Sequence, residues 1–376
     1  MRQGRHSHDC HLILPGQSGM MMREFEFVMG KMMFRVLVFS TRPYDREFLE
    51  AANTQAGYRL HFLEAALRPD TAALAAGYPA ICCFVDDELS APVLTALYEG
   101  GTRLVLLRAT GFNNVDLAAA DRLGMTVMRV SHYSPEAVAE FAAGLLLTLN
   151  RKIHRAYNRV REGNFLLDNL LGMDLHGKTI GIVGTGQIGR AFARIMAGFG
   201  CRLLAFDQMA DPECAALGLR YTDLTTLLQS ADVVSLHVPL TPQTHHMINA
   251  ETLTLMKPGA ILINTSRGAL VDTSALITAL KQGQVGAVAL DVYEEESHLF
   301  FQNLSDQIIT DDVFARLLSF PNVLVTGHQA FFTREALTAI AETTIANIGD
   351  FLAERDSPNQ LDPRQVTAPA SPDPTD

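Results

Sequence analysis

The chain has 376 residues, 48% of them hydrophobic, and a formal charge of −11 with no Lys/Arg cluster. At ~100 to 200 residues per domain this length predicts two domains, and the acidic balance excludes a nucleic-acid groove, which needs a basic stripe. No run approaches the ~18 apolar residues of a membrane span, and the opening lacks the ~7 to 15 residue apolar core of a secretion signal, so a cytoplasmic protein acting on small molecules is expected.

The first 33 residues show no period of 2 or 3.6 and hold seven of the fourteen methionines, which reads as a disordered leader. Its His6, His8 and His11 read as solvated residues. From Phe34 onward, short β-type runs alternate with helical stretches: "FRVLVFS", "PYDREFLEAAN", "YRLHFLE", "AICCFV", "PVLTALYEG" and "RLVLLRA". Alternation of this kind predicts parallel βα units. The five cysteines Cys10, Cys82, Cys83, Cys201 and Cys214 lack C-x₂-C spacing, so no metal site is expected from them, and Cys82 and Cys83 in "AICCFV" read as buried reduced thiols. About Pro135 to Glu162 is expected to be one long helix, with Ser134 as N-cap and Pro135 in the first turn.

A second series follows: "KTIGIVG", "CRLLAFD", "DVVSLHVP", "AILINTS", "GAVALDV" and "NVLVTGH". Each run ends in polar or special residues at its C-terminal edge, where open α/β sheets bind ligands. "GIVGTGQIGR" places Gly184, Gly186 and Gly189 between a strand and a helix in G-x-G-x-x-G order, and the next strand ends in Asp207. The first glycine permits the tight turn, the second lets backbone approach a pyrophosphate, and the third allows close helix packing. Asp207 would accept hydrogen bonds from ribose hydroxyls and repel a 2′-phosphate, and no Arg or Lys follows in "FDQMADPE", so NAD is expected over NADP.

Further strand ends carry Arg267 in "INTSRGALVD", Asp291 and Glu296 in "ALDVYEEES", and His328 in "VTGHQAFF". A guanidinium can grip a carboxylate and polarise an adjacent carbonyl; a His can give a proton to the alkoxide that forms when hydride arrives; a neighbouring carboxylate orients that His and favours its charged form. These residue types are the minimum set for reducing a 2-oxo acid. His298, two residues past Glu296, is a rival base, whereas His237, His245 and His246 read as packing or cofactor-edge residues. Asn113, Asn114 and Asp116 in "GFNNVD" read as shaping the loop that presents Arg108 and Gly111.

The segments "STRPYD", "LRATGFNNVDL", "YSPEAVAEFA", "LNRKIHRAYNRVREGNF", "GTGQIG", "SLHVPLTP", "NTSRGALVD", "DVYEEE", "DDVF" and "TGHQAFFT" together resemble the D-isomer-specific 2-hydroxyacid dehydrogenases, and among them the bacterial fermentative branch that reduces pyruvate to D-lactate. The likeness runs from about Phe34 to Asn359. It implies Arg267 on the substrate carboxylate and carbonyl, Glu296 paired with His328, and His328 as acid/base. It further implies cofactor contacts at Gly184, Gly186, Gln187, Ile188, Gly189, Asp207, Val238, Pro239, Thr244, Thr265, Ser266, Arg267 and Asp291, and substrate-pocket roles for Tyr133, Arg267 and Phe331.

The implied fold has two Rossmann-like doubly wound parallel-sheet domains: a flavodoxin-like substrate domain at 34–132 completed by 331–356, and an NAD-binding domain at 133–330. Residues 357–376 are expected to form a disordered tail, and "NRVREGNFLL" to contribute to a homodimer or homotetramer. Two alternatives stay open: a relative acting on a larger 2-oxo acid, and a binding protein of this fold that senses NAD without turnover.

Overall fold

The structure, a computed structural model, describes residues 34–362, with the side chain of His298 outside that description. Of these, 34–131 and 338–362 form one compact unit and 132–337 the other. The leader, the remainder of the tail and the histidines and cysteine within the leader lie outside the described residues.

In the first unit, strands β1 (Arg35–Val38), β2 (Arg59–Phe62), β3 (Ala80–Cys83), β4 (Leu104–Leu107) and β5 (Thr126–Met128) form a sheet in the order β2-β1-β3-β4-β5, with every pairing parallel. This is the flavodoxin-like order. The central strands β3 and β4 are buried at every residue, because helices cover both faces of a parallel sheet and leave no polar side to alternate with. One face packs on Val93, Leu94 and Leu97 of the helix Ala91–Glu99, and the other on Leu49 and on Ala341, Ile345 and Ile348 of the final helix Arg334–Leu352. Cys82 and Cys83 are buried free thiols within this core.

The second unit holds β6 (Thr179–Val183), β7 (Arg202–Phe206), β8 (Arg220–Tyr221), β9 (Val233–Leu236), β10 (Ala260–Asn264), β11 (Val285–Leu290) and β12 (Val323–Val325). Their order is β12-β11-β10-β9-β6-β7-β8, again all parallel. The chain moves outward from β6 through β7 and β8, then crosses back to build β9 to β12 on the other side. Connections therefore diverge at β6 and β9, and a crevice opens beyond the carboxyl ends of those strands, the usual ligand position of such sheets.

Two sequence expectations need correction. The long helix is broken into Pro135–Arg151 and Ile153–Arg161 by Lys152, which takes φ +52°. The cause is a long-range docking that no local pattern encodes: Asn150 donates its Nδ2 to Met173 O (2.8 Å) and accepts from Met173 N at Oδ1 (2.9 Å). Gly172 also lies so close to Asn150 that a Cβ would stand 2.6 Å from its carbonyl oxygen. The N-terminal part follows expectation, with the Ser134 hydroxyl accepting from Ala137 N at 3.2 Å.

The tail, expected to be free from residue 357, is held against β5 at its start. Leu361 donates its N–H to Val127 O (2.9 Å), Arg129 donates to Asn359 O (2.9 Å), Gln360 bridges Met128 in antiparallel sense, and Leu361 is buried in the core. The open hydrogen-bonding side of an edge strand takes up a short segment that also brings one apolar anchor. Among the described residues no helix is long and apolar enough to cross a membrane.

Candidate active site

The turn after β6 is shaped by its glycines. Gly184 takes φ +93°, and a Cβ there would stand 2.6 Å from His237 O; one on Gly189 would stand 1.9 Å from Gly184 O. Both positions therefore need glycine for the loop to close on its own helix. Gly186, N-cap of the helix Gln187–Gly198, differs: a Cβ there would meet nothing within 4 Å. The loop thus keeps an open face at the helix N-terminus, with Gly186 and Gln187 exposed and Ile188 half-buried, where unpaired N–H groups and the helix dipole attract an anion.

Asp207 ends β7 and is tied to this loop. Its Oδ2 accepts from the N–H (2.6 Å) and hydroxyl (3.0 Å) of Thr185, and Oδ1 from Met209 N (3.2 Å). Partial burial works to raise its pKa, but these hydrogen bonds outweigh it and hold the carboxyl below its usual range. Arg190, on the helix the loop opens, is engaged by Asp211 (3.3 Å) and Glu213 (3.0 Å).

At the end of β10, Asn264 is fully buried; it donates its Nδ2 to Arg267 O (2.8 Å) and accepts from Ser266 N at Oδ1 (3.0 Å), while the Ser266 hydroxyl donates to Leu236 O (2.9 Å). These bonds fix the turn that carries Thr265, Ser266 and Arg267. Thr265 has a buried hydroxyl with no hydrogen-bond partner in the protein, an orphan that a bound polar ligand would satisfy. Arg267 is extended, with Nη1 donating to Ser266 O at 2.7 Å. Burial pushes the Tyr133 phenol above its ordinary pKa, with the Arg267 guanidinium acting against that rise and Asp291 adding to it. Val238 and Pro239 follow β9, but the Thr244 hydroxyl is spent on its own turn, donating to Pro239 O at 2.7 Å.

His328 lies in the loop after β12 with φ +52°, a conformation that costs a non-glycine residue about 1–2 kcal/mol and must be held by its surroundings. Asp291, at the end of β11 and wholly buried, supplies the hold. Its carbonyl accepts from His328 N (2.7 Å); Oδ1 accepts from the Thr326 hydroxyl (2.5 Å) and Gln329 N (3.0 Å), and Oδ2 from Ala330 N (2.7 Å). Burial pushes the Asp291 carboxyl up, against these donors and His328. Asp291 was expected at the cofactor; here both its oxygens are taken by the histidine loop.

His328 Nδ1 meets Glu296 Oε1 at 2.7 Å, and Glu296 Oε2 accepts from Tyr293 N at 2.9 Å, which fixes the carboxylate. With Nδ1 so engaged, Nε2 is the nitrogen left for a ligand. The Phe301 ring lies 5.7 Å from the imidazole, and Phe331 stacks edge-on with Phe332 at 6.0 Å. In the first unit, Arg108 is buried, paired to Asp45 at 3.1 Å and donating to Ser40 O at 2.9 Å; Asn114 donates to Phe84 O and Asp87 O (3.2 and 2.8 Å), and Asp116 caps a helix through Ala119 N (2.8 Å). That set braces the loop from within.

Sequence reasoning missed Asn264, Thr185, Thr326 and Phe301. Asn264 had a signal, a polar side chain ending the apolar run "AILIN", because a buried amide must serve some backbone. Phe301 had none, since its φ of +59° sits in no turn motif.

An open glycine loop at a helix N-terminus, an ionised carboxylate on the neighbouring strand and the orphaned Thr265 hydroxyl fit a dinucleotide, so the second unit is a dinucleotide-binding sheet with an imidazole–carboxylate pair at its edge. Residues 143–330 match the family profile described as "D-isomer specific 2-hydroxyacid dehydrogenase, NAD binding domain". The chain is similar to 2-hydroxyacid dehydrogenase A of Aspergillus oryzae, 53% identical over 330 residues covering 87% of this chain and 95% of that protein. It is also similar to the D-lactate dehydrogenase of Escherichia coli, 49% identical over 327 residues covering 87% and 99%. Among solved structures, the pyruvate reductase of Chlamydomonas reinhardtii superposes with a TM-score of 0.82 at 44% identity, over 88% of this chain and 99% of that one. The chain belongs to the D-isomer-specific 2-hydroxyacid dehydrogenase family, and its cofactor is NAD.

Proposed function

We propose that the protein reduces pyruvate to D-lactate with NADH, reversibly. The observation that carries this reading is the 2.7 Å contact between His328 Nδ1 and Glu296 Oε1, an acid/base pair carried by the same sheet as the dinucleotide loop. The names of relatives at 49–53% identity support the substrate class. When bound in reduced form, the cofactor supplies a hydride, two electrons and one proton, to the carbonyl carbon. Arg267 grips the substrate carboxylate in a fork of parallel hydrogen bonds and polarises the adjacent carbonyl. The carbonyl π bond breaks toward oxygen, and the His328 imidazolium gives its Nε2 proton to that oxygen, leaving a neutral imidazole whose Nδ1–H still faces Glu296. Tyr133 and Phe331 wall the pocket, and Asp291 holds the histidine in place.

Residues 132–337 then bind the cofactor. A cytoplasmic location is part of the same proposal. Exposed Ile153, Tyr157, Val160, Phe165, Leu166 and Leu167 support a homodimer or homotetramer built on that patch. Loss of NADH absorbance on adding pyruvate, set beside larger 2-oxo acids and NADPH, tests the reading. Pyruvate should give the highest kcat/KM, and NADH should exceed NADPH by at least ~10-fold, about 1.4 kcal/mol from like-charge repulsion at Asp207. No turnover with any 2-oxo acid would leave only NAD binding, and equal use of both coenzymes would remove Asp207 from the selection.

A further inference from the structure

His245, His246 and Glu294 lie outside the catalytic set. Each can bring one ligand atom within 4.8 Å of the other two. His246 Nε2 meets Glu294 Oε1 at 2.5 Å, and the two imidazoles stack with centroids 3.9 Å apart and planes 26° apart. Two stacked neighbouring imidazoles, one of them bonded to a carboxylate, are an unusual use of adjacent side chains, and His246 takes φ +48°. That conformation is fixed by His246 N donating to Ala269 O (2.8 Å) and by Asn249 Nδ2 donating to His246 O (3.1 Å). Glu294 is supported from its other side, with Oε2 accepting from the Thr273 hydroxyl at 3.4 Å. Three donors thus come from two separate segments, each braced by a neighbour.

We propose that His245, His246 and Glu294 form a binding site for a divalent transition-metal ion, with Zn²⁺ as the best fit. Two imidazoles and one carboxylate leave a fourth position for water, the arrangement of three-ligand zinc sites, and imidazole selects zinc, nickel or copper over magnesium and calcium, which require oxygen donors. A metal replacing the proton shared by His246 and Glu294 must part Nε2 and Oε1 from 2.5 Å to roughly 3.3 Å, the tetrahedral edge for bonds of ~2.0–2.1 Å. Rotation of the half-buried Glu294 side chain would part them, and the exposed His245 has room to turn toward the ion. The site is independent of the proposed reaction, yet near its parts: Glu294 is two residues before Glu296, and Gly268, next to Arg267, packs so closely that a Cβ would stand 2.3 Å from Glu294 N.

The test uses the full chain carrying His6→Ala, His8→Ala, Cys10→Ser and His11→Ala, so that the leader cannot compete. After chelator treatment, ZnCl₂ is titrated against a chromophoric chelator, with MgCl₂ in parallel. One saturable Zn²⁺ site per chain is expected, weakened at least ~10-fold by His245→Ala and by Glu294→Gln, with no competition from Mg²⁺. Zinc should also raise the melting temperature of the parent and not of the two variants. Absence of a saturable site, equal Zn²⁺ affinity in parent and both variants, or Mg²⁺ binding as tight as Zn²⁺ would each overturn the proposal.

Discussion

Replacing Asp291 by Asn separates a residue that serves the cofactor from one that holds the histidine loop. In the wild type, three donors from Thr326, Gln329 and Ala330 converge on two carboxylate oxygens of a side chain with no exposure. Asparagine offers one acceptor oxygen. If it keeps the Thr326 and Gln329 bonds, its NH₂ faces the Ala330 N–H, and a buried donor left unpaired costs about 1–3 kcal/mol. Loss of charge assistance in the surviving bonds adds to this, and relief of the cost of burying a charge, the cause of the raised Asp291 carboxyl, offsets part. The net expectation is a destabilisation of about 1–3 kcal/mol. His328 then loses the brace that keeps it at φ +52°, and a displaced acid of ~1 Å can cost ~100-fold in rate. Urea unfolding reports the first quantity, steady-state kcat for pyruvate the second, and fluorescence titration of NADH a third that should change little. Unaltered stability and kcat together with weakened NADH binding would refute the loop-holding role and return Asp291 to the cofactor.

Gly189→Ala would set a Cβ 1.9 Å from Gly184 O, which forces the helix off the loop; we expect NADH affinity to fall at least ~10-fold with about 1–3 kcal/mol of lost stability, read by the same titration and urea curves. His237 is a base pushed down to about 3 by burial, with Nδ1 unpartnered and Nε2 2.9 Å from the Ser235 hydroxyl. A base depressed in the fold contributes stability that is complete above its unfolded value of ~6.5 and is lost as the pH falls toward the folded value. Going from pH 7 to pH 4.5 should therefore cost about 2–3 kcal/mol through this residue. His237→Leu should flatten the urea midpoint over that range, and an unchanged pH slope would count against a buried neutral imidazole.

Both sheets were legible because parallel strands covered on two faces read as unbroken apolar runs, as "AICC" and "TIGIV" do. The glycine loop was legible because its chemistry is local: strand, turn and helix stand within ten residues of sequence from Ile180 to Gly189. What escaped was set by distant partners. The break at Lys152 depends on Met173 docking against Asn150, and the ordered stretch at Asn359 to Leu361 depends on the open side of β5. The same holds within the site. "GHQ" announces a histidine but not its left-handed backbone, and "ALD" announces an acid but not that four groups from residues 326 to 330 turn toward it. For Thr244, assigned to the cofactor by resemblance, the turn that its hydroxyl closes onto Pro239 O was likewise not legible.

The decisive measurement is pyruvate reduction by His328→Ala beside Glu296→Gln, with NADH binding measured in the same samples. If His328 delivers the proton and Glu296 orients it across 2.7 Å, the alanine variant should lose ~10²- to 10⁴-fold in kcat/KM and the glutamine variant a smaller factor, with NADH affinity near wild type in both. Retention of more than about a tenth of wild-type kcat/KM by His328→Ala, given a general-acid contribution of at least ~10²-fold, would contradict the assignment of this pair as the acid/base system.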